Sequence, residues 1–388
     1  MADAPPTIGF VAGEASGDLL AAPVVAALRE RVPGLRAVGL AGDRMIGAGC
    51  EAWHHVRELS VRGYVEVLRE LPRLLRLRRA LSGRLRAERC AAVVGVDSPD
   101  FNLRMESGLR AAGMRTVHYV SPSIWAWRAG RIERIRRAAD RVLLVFPFEE
   151  EIYRRAGIPA TYVGHPLASQ IPRRPNRVAA RDLLELPREG PVIALLPGSR
   201  RAEILHIAPV VLGAALAIAR SHPGTHFVLP IADPSLGMLF DALLAVDGVG
   251  PRLGGRLHLY DGRSHECLAA SDGAILASGT ATLEAALFGL PMVIVYRMPW
   301  LSAWIMRRIG SYLPWVGLPN ILANESLVPE LLQEHANADE VAHAMLTLLE
   351  DAPRCARIVE RFSLLHESLA RDTASLAAEA ILATAAGR

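Results

Sequence analysis

Short runs of apolar, β-branched residues recur along the chain, each followed by a longer stretch with helical spacing. In the first half the runs that read as strands are Thr7–Ala12, Ala37–Leu40, Ala92–Val96, Arg115–Val120, Arg141–Val145 and the short Tyr162–Val163. In the second half they are Val192–Leu196, His226–Pro230, Leu257–Tyr260, Gly273–Ala277 and Met292–Tyr296. Continuous apolar runs mark strands covered on both faces, and their alternation with helices predicts an α/β fold with parallel sheets. The alternation breaks once, over residues 164–190, which are rich in Pro and Arg and hold no good strand. A boundary inside that stretch leaves about five βα units on each side, the pattern of two Rossmann-like domains facing a cleft. The expected divisions are 1–167, 168–356 and a helical C-terminal stretch, 357–388.

Ligands of open α/β sheets bind at the carboxyl ends of the strands, so the strand-to-helix turns carry the functional weight. The first turn, Gly13-Glu14-Ala15-Ser16-Gly17-Asp18, offers two glycines for close backbone approach and two candidate helix caps, Ser16 and Asp18. It is not GxGxxG and gives little support to a dinucleotide. In the turn Asp97-Ser98-Pro99-Asp100, an apolar strand delivers Asp97 to its carboxyl end, where a carboxylate can take a proton from an attacking hydroxyl. Asp100 reads as the helix cap, with the helix opening at Phe101. In the second half, Leu196-Pro197-Gly198-Ser199-Arg200 opens a helix whose N-terminus favours an anion, and Arg200 can grip phosphate through two N–H groups. Ala277-Ser278-Gly279-Thr280 repeats that arrangement, and Glu284, about a turn further on, is placed to accept bonds from ribose hydroxyls. Each of these turns also has a plainer reading, as a capped helix with no ligand.

Composition narrows the chemistry. The 388 residues are 51% hydrophobic and 22% charged, which excludes a disordered chain and leaves room for a large core. All 44 basic residues are arginine. A chain without lysine forms no Schiff base and has no Walker-type phosphate lysine, and arginine stays protonated and cannot act as a general base. The net charge of +4 is compatible with phosphate-bearing ligands or an anionic membrane. The four cysteines, Cys50, Cys90, Cys267 and Cys355, form no CxxC pair and read as reduced thiols of a cytosolic protein. No Asp-x-Asp, HxH or HExxH occurs, and the adjacent His54 and His55 point apart, so no metal and no cofactor is expected. The first residues lack the pattern of a signal peptide. The longest apolar run, Ile207 to Ala219, is too short to span a bilayer.

Two stretches read as a lipid interface. Between Pro72 and Arg89, Leu74, Leu77, Leu81 and Leu85 share one helical face and seven arginines, Arg78 among them, occupy much of the rest. The segment from Met298 holds Trp300 and Trp304, a residue type that favours membrane interfaces. Both also fit helices packed on their own domain. Nucleic acid is not expected, because the arginines lie among leucines rather than base-stacking aromatics.

The strings GEASGD (13–18), VGVDSPDFN (94–102), HYVSPSIWAWR (118–128), LLPGSR (195–200), ASGTATLE (277–284) and LPNILA (318–323) resemble the bacterial lipid-A-disaccharide synthase family in order and spacing. The resemblance runs from about Thr7 to about Leu332. It implies a GT-B fold whose C-terminal helix returns to the N-terminal domain, and a metal-free enzyme peripheral to the cytoplasmic face of the inner membrane of a Gram-negative bacterium. The implied reaction joins UDP-2,3-diacylglucosamine to 2,3-diacylglucosamine 1-phosphate (lipid X), releasing UDP and a β-1,6 disaccharide with inversion. On that reading the first domain serves the acceptor and the second the UDP-sugar. Asp97 is the base, Arg200 a catalytic cation, and Ser199, Arg200, Ser278, Gly279, Thr280 and Glu284 hold UDP. Glu14, Ser16, Arg128 and Asn320 fall to the substrates, and Leu74, Leu77, Arg78, Leu81, Trp300 and Trp304 to lipid. The cation for the acceptor 1-phosphate stays open among Arg128, Arg131 and Arg201, and a homodimer stays open as well. The alternatives are another GT-B UDP-sugar enzyme, such as a 2-epimerase or a glycosyltransferase with a soluble acceptor, and a noncatalytic nucleotide-binding protein of the membrane surface.

Overall fold

The structure, a computed structural model, describes residues 5–59, 64–122, 130–297 and 314–387. The chain forms two compact units, Met1–Ser169 with Ser368–Arg388, and Gln170–Glu367.

The first unit is built on a seven-stranded parallel sheet in the order β3-β2-β1-β4-β5-β6-β7. Its strands are β1 (Thr7–Ala12), β2 (Arg36–Ala41), β3 (Cys50–His55), β4 (Ala92–Val96), β5 (Thr116–Tyr119), β6 (Arg141–Leu144) and β7 (Ala160–Tyr162). The central strands are almost wholly buried, as their unbroken apolar sequences require. β3 has no counterpart in the apolar pattern. Its sequence CEAWHH lies at the sheet edge with most side chains reaching water, and His54 and His55 turn to Glu58 and Asp43. Its helices include α1 (Ala15–Arg31), α2 (Asp43–Gly47), α3 (Tyr64–Ala87) and α4 (Pro99–Ala111).

The leucine stripe of α3 is core. Leu77 is 7% exposed, Leu81 1% and Leu85 0%. Leu85 reaches β1, where a Cβ added at Gly9 would come within 2.5 Å of it. Burial against its own sheet removes Leu77 and Leu81 as lipid contacts, and Leu74 is half-buried. The apolar face is there, but its partner is protein.

The second unit has a six-stranded parallel sheet in the order β10-β9-β8-β11-β12-β13. The strands are β8 (Val192–Leu196), β9 (His226–Ile231), β10 (Leu257–Asp261), β11 (Gly273–Ala277), β12 (Met292–Tyr296) and the three-residue edge strand β13 (Glu330–Leu332). Its helices include α5 (Arg201–Ser221), α6 (Thr280–Leu287) and α7 (Leu318–Ala323). α5 is long and apolar enough to cross a membrane by length and composition, yet Ile207, Val211, Ala215 and Ile218 are buried in this unit's core. α8 (Ala352–Leu369) carries the chain out of the second unit, and α9 (Thr373–Ala385) packs on α1 and across β4 to β6 of the first. The return begins at Ser368, inside α8, rather than at Arg357.

The four cysteines are unpaired. Burial pushes the thiols of Cys50 and Cys267 up to about 12 and that of Cys90 to about 11, so none of these three is a thiolate near neutrality.

Where the chain returns, the backbone N–H of His165 donates to the carbonyl of Leu369, and its ring stacks on Phe146. Burial lowers the His165 pKa to about 4. An unfolded chain binds a proton on this ring near pH 6.5 and the folded one refuses it until about pH 4. Folding stability is therefore full above pH 6.5 and falls by roughly 3 kcal/mol as pH drops to 4. Urea midpoints across that range, compared with His165→Gln, are expected to show the slope in the wild type and its loss in the variant. Equal slopes would contradict this.

Candidate functional site

The order of each sheet reverses once. In the first the reversal lies between β1 and β4, in the second between β8 and β11. A crevice forms at such a switch point because the two flanking helices leave toward opposite faces. The four turns singled out in the sequence are the four that leave these strands.

In the first unit Ala12 pairs with Val96 and Val96 with Tyr119, so Gly13, Asp97 and Val120 leave the sheet side by side. Gly13 is confined to glycine by contact: a Cβ there would come within 1.9 Å of the Ser98 hydroxyl. Asp97, Ser98 and Val120 all take left-handed backbone conformations, with φ of 52°, 45° and 76°. Such non-glycine conformations cost about 1–3 kcal/mol each and persist only where neighbours enforce them.

The enforcing group is Asn102, fully buried on α4. Its amide nitrogen donates to the carbonyls of Val11, Val96 and Asp97 at 3.2, 3.2 and 2.8 Å. The N–H of Asp97 donates to the Tyr119 carbonyl at 2.8 Å. Both ends of the Asp97 peptide are thus fixed. Its carboxylate makes no hydrogen bond or ion pair among the described residues and stays half-exposed.

Below this turn lies a fully buried pair. Glu106 on α4 meets His118 Nδ1 at 2.9 Å, and its carboxylate fits only because position 95 lacks a side chain. Burial raises the Glu106 pKa, and His118 opposes that shift. His118 Nε2, Asn102 Oδ1 and the Tyr119 hydroxyl are buried without partners among the described residues.

Two capping expectations change. α4 opens at Pro99 rather than Phe101, because proline suits the first helical position, and Ser98 is the cap residue. Asp100 is exposed and meets Arg131 at 3.3 Å, so it caps nothing. Asp18 does not cap its own helix either. Its buried carboxylate accepts from the N–H groups of Gly42, Arg44 and Met45, capping α2 and tying the turns after β1 and β2 together. Glu14 and Ser16 stand exposed at the start of α1, and Glu14 is its cap residue without a side-chain capping bond.

In the second unit Leu196 pairs with Leu276, so the turns at 197 and 278 leave side by side. Arg200 is the cap residue of α5, and the Ser199 N–H donates to Glu203 at 3.1 Å. Glu203 holds the loop in the position expected of an anion, a role its place three residues past Arg200 could have revealed. Gly279 precedes α6 with no side-chain cap; the N–H of Thr282 donates to the Gly279 carbonyl at 3.1 Å, and those of Thr280 and Ala281 have no hydrogen bond among the described residues. The Ser278 hydroxyl donates to the Val316 carbonyl at 3.0 Å. Glu284 lies 3.5 Å from His265, whose pKa it raises chiefly through their hydrogen bond. His265 was missed, although it stands two residues into the helix after Gly262 and Arg263, at the same sheet edge.

Asn320 is a correction. It is fully buried, donates to Val328 and Glu330, and accepts from the N–H groups of Leu327 and Val328. With its amide saturated it positions the 316–330 segment and has nothing left for a substrate. Glu330, its pKa raised by burial, also accepts from the Val316 and Gly317 N–H groups. Arg128, Trp300 and Trp304 lie outside the described residues.

A family model described as lipid-A-disaccharide synthetase matches residues 8–384. A Burkholderia lata protein named lipid-A-disaccharide synthase is 48% identical over 376 residues, covering 97% of this chain and 95% of its own. Among solved structures, the calicheamicin glycosyltransferase CalG4 superposes with a TM-score of 0.62 at 16% identity, covering 99% of both chains. A UDP-GlcNAc 2-epimerase from Neisseria meningitidis, bound to UDP-GlcNAc, gives 0.63 at 13%, covering 98% of this chain and 99% of its own. At those identities the structures show the fold alone, two Rossmann-like domains of GT-B type.

The clamp and the carboxylate it presents should separate in stability. Asn102→Ala leaves buried carbonyls short of a donor and is expected to cost about 1–3 kcal/mol. Asp97→Asn, at a side chain with no partner among the described residues, should stay within about 0.5 kcal/mol of the wild type. Denaturant midpoints test this, and equal losses would contradict it.

Proposed function

The chain belongs to the lipid-A-disaccharide synthetase family, and from that premise we propose that it is an inverting, UDP-sugar-dependent glycosyltransferase of lipid A biosynthesis. It transfers 2,3-diacylglucosamine from UDP-2,3-diacylglucosamine to the 6-hydroxyl of 2,3-diacylglucosamine 1-phosphate. The products are the β-1,6-linked disaccharide 1-phosphate and UDP. The observation that carries the reading is the half-exposed Asp97 carboxylate, without a partner among the described residues, on a left-handed turn at a sheet switch point.

In this proposal the first unit serves the acceptor and the second the UDP-sugar. Asp97 takes the proton of the acceptor hydroxyl as its oxygen attacks the donor C1. The bond from C1 to the β-phosphate oxygen breaks, and its electron pair leaves with UDP. Arg200 and the open N–H groups of α6 stabilise that growing charge, and donors preorganised in this way contribute about 2.7–4 kcal/mol each. Ser199, Ser278, Gly279 and Thr280 line the phosphates, and Glu284, steadied by His265, binds the ribose. Glu14 and Ser16 face the substrates from the start of α1. Because both substrates are acylated, the protein works as a peripheral protein on the cytoplasmic face of the inner membrane.

UDP release in mixed micelles containing EDTA, with and without acceptor, tests the reading. The wild type is expected to release UDP only with acceptor. Asp97→Asn should lower turnover by about 10²–10⁴-fold with UDP affinity unchanged by calorimetry. Release without acceptor would point to a hydrolase or an epimerase, and an active variant would remove Asp97 as the base.

A further inference from the structure

The proposed mechanism leaves one buried ionisable pair of the first unit without a task. Glu106 and His118 are both fully buried, and the two carboxylate oxygens of Glu106 lie 2.9 and 3.0 Å from His118 Nδ1.

Stability does not account for the pair. Besides Asn102, the buried face of α4 is apolar, at Leu103, Met105 and Leu109. An apolar residue at 106 would complete that face, and apolar groups of like size in place of a buried ion pair often leave a protein as stable or more so. Glu106 instead brings three unfavourable contributions. Its carboxylate is taken out of water, and burial raises its pKa while His118 and the Gly95 N–H oppose that shift. It requires glycine inside β4, where a Cβ would come within 2.0 Å of its Oε1, and glycine weakens a strand. It also holds His118 with Nε2 buried and without a partner among the described residues. Departures of this kind gather at functional sites.

The placement of the pair shows what it serves. Gly95 stands opposite His118 in the β4–β5 register, and Asp97 follows Gly95 by two residues. Glu106 therefore ties α4 to two strands just below the end of the one that carries Asp97. Asn102, four residues earlier, shares the helical face of Glu106 and stands about 6 Å nearer the turn. The Cβ that Gly95 lacks would also come within 3.0 Å of the Asn102 Cβ, so both side chains pass over the same glycine. Apolar packing presses a helix onto a sheet but has no direction of its own, and it leaves slide and rotation weakly fixed. The bonds to His118 add that direction, one turn below the amide that meets the Val11, Val96 and Asp97 carbonyls. We propose that Glu106 and His118 are a positioning pair for Asp97. They lock α4 on β4 and β5 in the setting from which Asn102 holds the Asp97 turn in its working geometry. This rests on the reading of Asp97 as the base.

UDP release in the presence of acceptor, resolved into kcat and the acceptor KM, tests the pair. Glu106→Met/His118→Leu removes both polar groups together and leaves neither unpaired. Its urea midpoint is expected to equal or exceed that of the wild type. Its UDP affinity by calorimetry and its acceptor KM should stay within about twofold, while kcat falls about 10–100-fold, the scale of a misplacement near 1 Å. Glu106→Gln, whose amide still bonds His118 and the Gly95 N–H, should keep kcat within about threefold of the wild type. Because the pair acts through Asp97, adding Glu106→Met/His118→Leu to Asp97→Asn should lower kcat by no more than about a further twofold. Wild-type kcat in the double variant would overturn the proposal, as would its full loss repeated on top of Asp97→Asn. A fall in Glu106→Gln as deep as in the double variant, or an equal loss of UDP affinity, would overturn it too. If the double variant loses its urea midpoint, Glu106→Met alone carries the same comparison with Glu106→Gln. Failure of the base reading shows separately, as full turnover in Asp97→Asn.

Discussion

One buried amide organises the switch-point turns of the first unit. Asn102 gathers the carbonyls of Val11, Val96 and Asp97 at the place where the order of the first sheet reverses. Without that donor the carbonyls of Val11 and Val96, at the ends of two central strands, would lose a partner in a buried site, at a cost near that of a lost hydrogen bond each. The same contact holds Asp97 and Ser98 in left-handed conformations that neither would adopt freely. The requirement spreads outward. Gly13 must lack a side chain to let Ser98 stand where it does, and Gly95 must lack one to admit Glu106 beneath the strand. In the proposed mechanism the Asp97 carboxylate, its backbone fixed at both ends and its oxygens without a partner among the described residues, takes the proton of the acceptor hydroxyl.

The second unit solves a different problem by different means. A leaving diphosphate needs positive potential, and this chain has no lysine to supply it. In the proposed mechanism Arg200 and the uncapped start of α6 supply it instead, and they leave the sheet side by side because β8 and β11 are neighbours. Around them carboxylates act as braces: Glu203 on the Ser199 N–H, and Glu330 on the amides of Val316 and Gly317. Asn320, whose amide is saturated, does for a loop of the second unit what the donating amide nitrogen of Asn102 does for the turn of the first.

The sequence made the central strands plain because each is an unbroken apolar run, and with them the turns that follow. The edge strands were hidden for the opposite reason. CEAWHH at 50–55 faces water and ELL at 330–332 is too short to show a period. Pattern also cannot name a partner: the leucines of α3 are as apolar against their own sheet as they would be against lipid. Long-range polar pairs leave no local trace at all. Asp18 caps a helix 24 residues away, and Asn102 reads as an ordinary helical residue until the strands it clamps are assembled. The family strings pointed to Asp97 and Arg200, but only the assembled sheets show that all four turns stand at switch points.

A crystal structure of Asp97→Asn with UDP and the acylated 1-phosphate acceptor would show which groups meet the reacting atoms. The acceptor 6-hydroxyl is expected within about 2.6–3.2 Å of the residue 97 side chain, with the diphosphate against Arg200 and the first amides of α6. An acceptor hydroxyl in contact with another base, or a diphosphate on the edge of the first sheet, would contradict it.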